Sequence, residues 1–209
     1  LKIVRAYHRR NGEPGRYKVI SRRGSYHGFT GGVIWLGGGA YSGRDDIEPA
    51  YPGMVYAPQP VSYHCELGGT TPSECAVLCA QAIEDLIQSE GPETVAAVIG
   101  EPVAAGSGPP GDEYWPMVRE ICDRYGVLLI SDEVICGFGR TGKMFAVEHW
   151  DIVPDVLTLA KGIVSTYLPI AATVVRKEIA DAFAGEENKL VHTLTFSGHP
   201  VSAAAALKN

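Results

Sequence analysis

The chain has 209 residues, with 18 Lys and Arg against 24 Asp and Glu and a formal net charge of -6. That balance argues against a general nucleic-acid binder, which carries a basic face, and no apolar run approaches the length of a membrane span. A hydrophobic content of 45% fits a globular chain, and the length suits one large α/β domain, or one domain with an incomplete partner.

Residues 1–10 read as the tail of an amphipathic helix, closed by Asn11-Gly12. Residues 17–21 form a short strand, and Tyr26-His27-Gly28 follows on a loop. The glycine-rich stretch 30–53 reads as a short helix and a long loop. Thr71-Pro72-Ser73-Glu74 starts a helix: Thr71 caps it, Pro72 fits the first helical position, and Glu74 completes a capping box. Ala76, Val77, Ala80, Ile83, Leu86 and Ile87 then recur at helical spacing until Gly91. Residues 95–100 make a buried strand ending at Glu101-Pro102, and 112–125 a second helix stopped by Gly126. Strands follow at 127–131, 156–159 and 170–175, a helix at 176–183, and another from Val201 onward. Strand, helix and strand at short spacing predict right-handed βαβ units and a mostly parallel sheet.

The five cysteines, Cys65, Cys75, Cys79, Cys122 and Cys136, show no disulfide spacing, so a reducing, cytoplasmic setting is expected. Cys75 and Cys79 lie one helical turn apart; sharing a metal is one reading, and packing as small core residues is the favoured one. The chain opens without Met and ends inside an alanine-rich helix, which predicts a piece of a longer protein.

The chemistry concentrates between Val127 and Gly162. One apolar run delivers Asp132 and Glu133 onto a glycine-rich turn; a second delivers Lys161 beside Gly162. An acid and a lysine at two strand ends can meet at one sheet edge, where open α/β sheets bind ligands. An acid to hold a pyridinium nitrogen and a lysine to form a Schiff base are what a pyridoxal phosphate (PLP) site needs. Gly137, Gly139 and Gly142 match GxGxxG, yet five residues separate the strand from the first glycine, two of them acids, and no helix cap follows. A dinucleotide-binding turn needs its glycines directly between strand and helix, so that reading is set aside.

The segments ISDEVICGFGRTG and PDVLTLAKG, Tyr26-His27-Gly28, Glu101-Pro102-Val103 and TFSGHP at 195–200 resemble, in order, the class III (ω-amino-acid type) aminotransferases of fold type I. The resemblance implies a three-layer, PLP-transferase-like α/β large domain over residues 1–209, its sheet mostly parallel and flanked by helices. The N-terminal segment and the small C-terminal domain would lie outside the chain. It implies pyridoxal 5'-phosphate as cofactor and Lys161 as the Schiff-base residue and proton carrier, with burial and nearby cationic charge lowering its pKa. Asp132 would pair with the pyridine nitrogen, Val134 pack on one ring face and Tyr26 stack on the other. Thr195 would donate to the phosphate across a homodimer interface. Glu101 would order the polar network beside Asp132 or bind backbone amides. His27 shapes the loop and is given no chemistry.

Gly106 stands where relatives acting on γ-aminobutyrate or ornithine often have Glu, which resembles the ω-amino acid or amine:pyruvate branch. Ile135 stands where many members have a Gln that contacts the cofactor. The implied reaction moves an amino group from an ω-amino acid or amine donor to a keto acid such as pyruvate. Another PLP reaction on the same fold (aminomutase, racemase or decarboxylase) and a non-catalytic remnant are the alternatives.

Overall fold

The computed structural model describes residues 1–38 and 44–209. Six strands form one sheet in the order β2-β1-β3-β4-β5-β6: β1 Lys18–Arg22, β2 Met54–Ala57, β3 Val95–Gly100, β4 Leu128–Asp132, β5 Val156–Leu159 and β6 Ala172–Val175. All neighbours run parallel except β6, which pairs antiparallel with β5. The helices are α1 Lys2–Arg10, α2 Pro72–Glu90, α3 Tyr114–Tyr125, α4 Lys177–Asp181 and α5 Pro200–Lys208.

The α2 start forms as its sequence dictates. Thr71 accepts the Glu74 amide at 3.1 Å, and Glu74 returns to the Thr70 amide at 2.9 Å, so the box closes one residue earlier than the simplest pattern. Gly126 ends α3 in the left-handed region at φ 63°, as a C-terminal glycine should.

Side-chain alternation along the strands sorts the core onto two faces. Val98 and Leu129 join α2 and α3 on one side; Ala97, Ile99 and Ile130 join α1 and α4 on the other. The result is the three-layer α/β arrangement with a mostly parallel sheet flanked by helices. The β3 strand is buried at all six positions, as the covered centre of a parallel sheet requires.

The main difference from expectation is β2. The sequence gives no strand there, because four residues between Pro52-Gly53 and Pro58 offer too short a pattern. Pairing with β1 decides it: Val19 to Arg22 align with Met54 to Ala57. Within 30–53 the helical pieces are single 3-10 turns, Ile34–Leu36 and Asp45–Ile47; positions 39–43 of that stretch lie outside the described residues.

Asp155 ties the layers together just before β5. Its carboxylate accepts the Leu129 amide at 2.7 Å and Arg119 at 2.8 Å, and pairs with Arg176 at 3.2 Å. One buried acid thus links α3, β4 and the start of α4. Removing it strands a mostly buried guanidinium, so Asp155→Ala is expected to lower the unfolding free energy by about 3 kcal/mol. Urea denaturation of the two proteins measures this, and a loss below about 1 kcal/mol would show that water replaces the carboxylate.

Candidate active site

Each parallel strand from β1 to β5 in the sheet centre delivers a polar residue to the same edge. Arg22 ends β1, Glu101 follows β3, Asp132 ends β4, and Lys161 follows β5 by two residues. The strand order reverses between β1 and β3, the position at which open α/β sheets form a crevice.

Across that crevice runs a buried polar chain. Arg22 donates to Glu101 Oε2 at 3.0 Å and to the Glu101 carbonyl at 2.6 Å. The guanidinium also lies over the Trp115 ring, 5.3 Å from its centroid, a contact that favours a desolvated cation. Gly100 makes room for it: a Cβ there would meet Trp115 Cη2 at 2.9 Å and Arg22 Cζ at 3.1 Å. Glu101 Oε1 accepts the Tyr26 amide at 3.1 Å. Glu101 therefore both orders the network and binds a backbone amide. The amide contact fixes the loop so that His27 Nδ1 sits 2.7 Å from Asp132 Oδ2. An ionised carboxylate only accepts, so this contact places a proton on Nδ1. The other Asp132 oxygen accepts the Val134 amide at 3.1 Å. Among the described residues, buried His27 Nε2 has no hydrogen-bond partner; it lies 4.0 Å from Glu101 Oε2.

A cavity of about 650 Å³ opens beside this chain, lined by His27, Asp132, Val134 and Thr158, with Ile99 and Ile130 from the sheet face. Glu101, Asp132 and Val134 are thus brought together. Tyr26 joins them through its backbone, while its ring lies edge-on to Phe29 at 5.4 Å and lines a separate recess. Thr195 lies exposed in the segment before α5. Ile135 is 39% exposed, and Gly106 sits on the loop after β3 at φ 88°.

Lys161 is tied to Asp132 through the backbone. Asp132 pairs in register with Thr158, and the Glu133 amide donates to the Thr158 carbonyl at 3.0 Å. Lys161 itself occupies the left-handed region at φ 34°, a conformation costing on the order of 1–3 kcal/mol in a residue with a Cβ. Gly162 lets the two turns touch, since a Cβ there would meet Phe138 Cβ at 3.0 Å and the Gly137 carbonyl at 3.1 Å. The GxGxxG stretch is a run of turns followed by no α-helix but by a single 3-10 turn, Ala146–His149, and its first glycine serves this close approach. The expectation that the chain buries Lys161 is not met. The residue is exposed and lines its own open recess of about 400 Å³.

The sequence reading missed three contributions. His27 was given no chemistry, yet it holds Asp132. Arg22 drew no notice as a strand residue. Glu133, fully buried, accepts the Ala146 and Val147 amides at 3.0 Å each and so anchors the chain after the glycine turn. An acid directly before a glycine-rich turn was the available signal for Glu133; the partners of His27 and Arg22 are too distant in sequence to read.

The class III aminotransferase family model matches residues 1–209. The chain belongs to the class III aminotransferases. It is 43% identical to the uncharacterized aminotransferase YhxA of Bacillus subtilis and 42% identical to a putrescine–pyruvate aminotransferase of Pseudomonas aeruginosa, in each case over 100% of the chain and 46% of the relative. Among solved structures, an (S)-enantioselective omega-transaminase from Thermomicrobium roseum superposes with a TM-score of 0.92 at 41% identity, covering 99% of the chain and 46% of that protein. A PLP-bound amine transaminase from an uncultivated Pseudomonas species gives 0.93 at 39% identity, covering 99% and 47%. This class III chain spans about half the length of the curated relatives it matches.

Burial pushes the Glu133 carboxyl above its ordinary value of 4.5, against the lowering effect of the two amides. The folded chain then holds this proton more tightly than the unfolded chain does. The resulting stabilisation is complete below the unfolded value and is lost as pH rises from 4.5 through the raised folded value. Glu133→Gln cannot titrate. The stability difference, wild type minus variant, should therefore shrink as pH rises from acid to neutral in urea unfolding series. A difference independent of pH would show that Glu133 titrates alike in both states.

Proposed function

We propose that residues 1–209 form the large PLP-binding domain of a transaminase that moves an amino group from an ω-amino acid or amine donor to a keto acid such as pyruvate. The observation that carries this reading is the β4–β5 register, which sets Asp132 beside the strand whose turn holds Lys161. Relatives named as aminotransferases and a PLP-bound neighbour support it.

The residues present fit the cofactor. Asp132 is a buried carboxylate on the wall of a cavity, held by His27 and the Val134 amide, with accepting capacity left for a pyridinium N–H. PLP, when bound, supplies an electron sink at the carbon that loses a proton. Asp132 keeps the ring nitrogen protonated, and His27 keeps the Asp132 carboxylate oriented. Val134 lines the cavity and would pack against one ring face, and Tyr26, whose ring lies edge-on to Phe29 in the neighbouring recess, would turn to stack on the other. Lys161, through its uncharged amine, would carry the proton to and from the reacting carbon; its strained backbone and exposed side chain suit a group that must reach a substrate. Thr195, exposed before α5, would donate to the phosphate of a second subunit's site. Exposure of Val191, Leu194 and Phe196 beside it favours a subunit contact and hence a homodimer. All five cysteines are free, which fits a cytoplasmic setting.

Adding PLP to the purified chain and reducing with borohydride is expected to leave a pyridoxyl group on Lys161, located by peptide mass mapping and absent from Lys161→Ala. Labelling spread over surface lysines would defeat the reading. In the whole enzyme, Lys161→Ala should lower kcat on the order of 10⁴-fold.

Asp132 loses its 2.7 Å partner in His27→Ala. The loss of a charge-assisted hydrogen bond of ~1.5 kcal/mol predicts PLP affinity weaker by about tenfold, read by fluorescence titration. Unchanged affinity would confine His27 to shaping the loop.

A further inference from the structure

On the sheet face that α2 and α3 cover, three thiols meet. Cys65 follows the 3-10 turn Ser62–His64, and Cys75 and Cys79 lie one turn apart on α2. Their sulfur atoms all lie within 4.8 Å of one another. The sequence places only Cys75 and Cys79 on one face and favours simple core packing for them; the third thiol arrives from the preceding loop. We infer that Cys65, Cys75 and Cys79 form a trithiolate site for a soft monovalent cation, Cu(I). The inference stands apart from the proposed transaminase activity.

The loop is fixed where ligation needs it. A Cβ on Gly69 would meet the Cys75 amide nitrogen at 2.7 Å and Cys75 Cα at 2.8 Å, so the loop backbone lies directly on the first turn of α2. Gly68, at φ 81°, donates to the Cys65 carbonyl at 3.0 Å and closes the turn that carries the thiol. Glu66, next in the chain, pairs with Arg23 at 2.8 Å. Cys65 is therefore held over the helix rather than passing by it.

The donor set selects the ion. Three sulfurs around one metal at ~2.3 Å bonds stand roughly 4 Å apart, close to the spacing already present. Among the described residues, no histidine or carboxylate completes the group, so hard cations that require oxygen have nothing to bind. Structural zinc takes four protein ligands; three thiolates suit the softer Cu(I). Cys75 and Cys79 are 1% and 0% exposed, whereas Cys65 is half-buried, so the ion enters from the Cys65 side. Each thiol gives up its proton to solvent as its sulfur binds, with no change of oxidation state.

The test is anaerobic titration of the reduced chain with Cu(I) buffered by a competing chelator. One Cu(I) per chain and a new near-ultraviolet thiolate-to-copper band are expected. Cys65→Ser changes only the loop and should remain folded by circular dichroism. It should weaken binding by more than the roughly 100-fold that loss of an outer-shell partner causes. Cys122→Ala, outside the cluster, should bind as wild type does. No retention of Cu(I) by the folded wild type, or equal retention by Cys65→Ser, overturns the site. Preferential retention of Zn(II) in a parallel titration overturns the assignment to a three-coordinate ion.

Discussion

Parallel pairing ends β1, β3, β4 and β5 at one edge of the sheet, so four loops meet where the backbone ladder stops. Arg22, Glu101 and Asp132 are shielded there by their neighbours, with their side chains free of the backbone ladder. Charged groups in such a position need partners, because an unpaired buried charge costs several kcal/mol. The Arg22–Glu101 pair meets that need at the reversal of strand order. The remainder of the network builds outward from it: Glu101 sets the Tyr26 amide, the loop sets His27, and His27 sets Asp132.

Close backbone approach is the second device. Gly100 admits the guanidinium between strand and tryptophan, Gly162 admits the glycine turn against the lysine turn, and Gly69 lets the cysteine loop lie on α2. In each case a Cβ would meet a heavy atom at or below about 3 Å, so the side chain is missing for steric reasons rather than for flexibility. Three separate juxtapositions, an arginine cradle, a lysine turn and a thiol cluster, thus depend on the same small residue.

The two adjacent acids at the end of β4, Asp132 within the strand and Glu133 just after it, show how position divides roles between like side chains. Asp132 faces the cavity and holds a histidine, while Glu133 turns into the protein and caps two amides. The strand ends at Asp132, and the turn that begins at Glu133 carries the second acid into the protein.

The sequence by itself determined the layers, most of the strands and helices, and the pair of an acid and a lysine, because apolar periodicity, caps and glycine stops act over a few residues. It also carried the order of motifs that marks the class III aminotransferases. Only the tertiary structure decided that 54–57 is a strand, since a four-residue segment becomes one through its partner. It likewise decided that His27 meets Asp132 from 105 positions away and that Cys65 joins Cys75 and Cys79. It left Lys161 exposed as well, because side-chain cover depends on what packs against a turn, and local sequence contains no record of that.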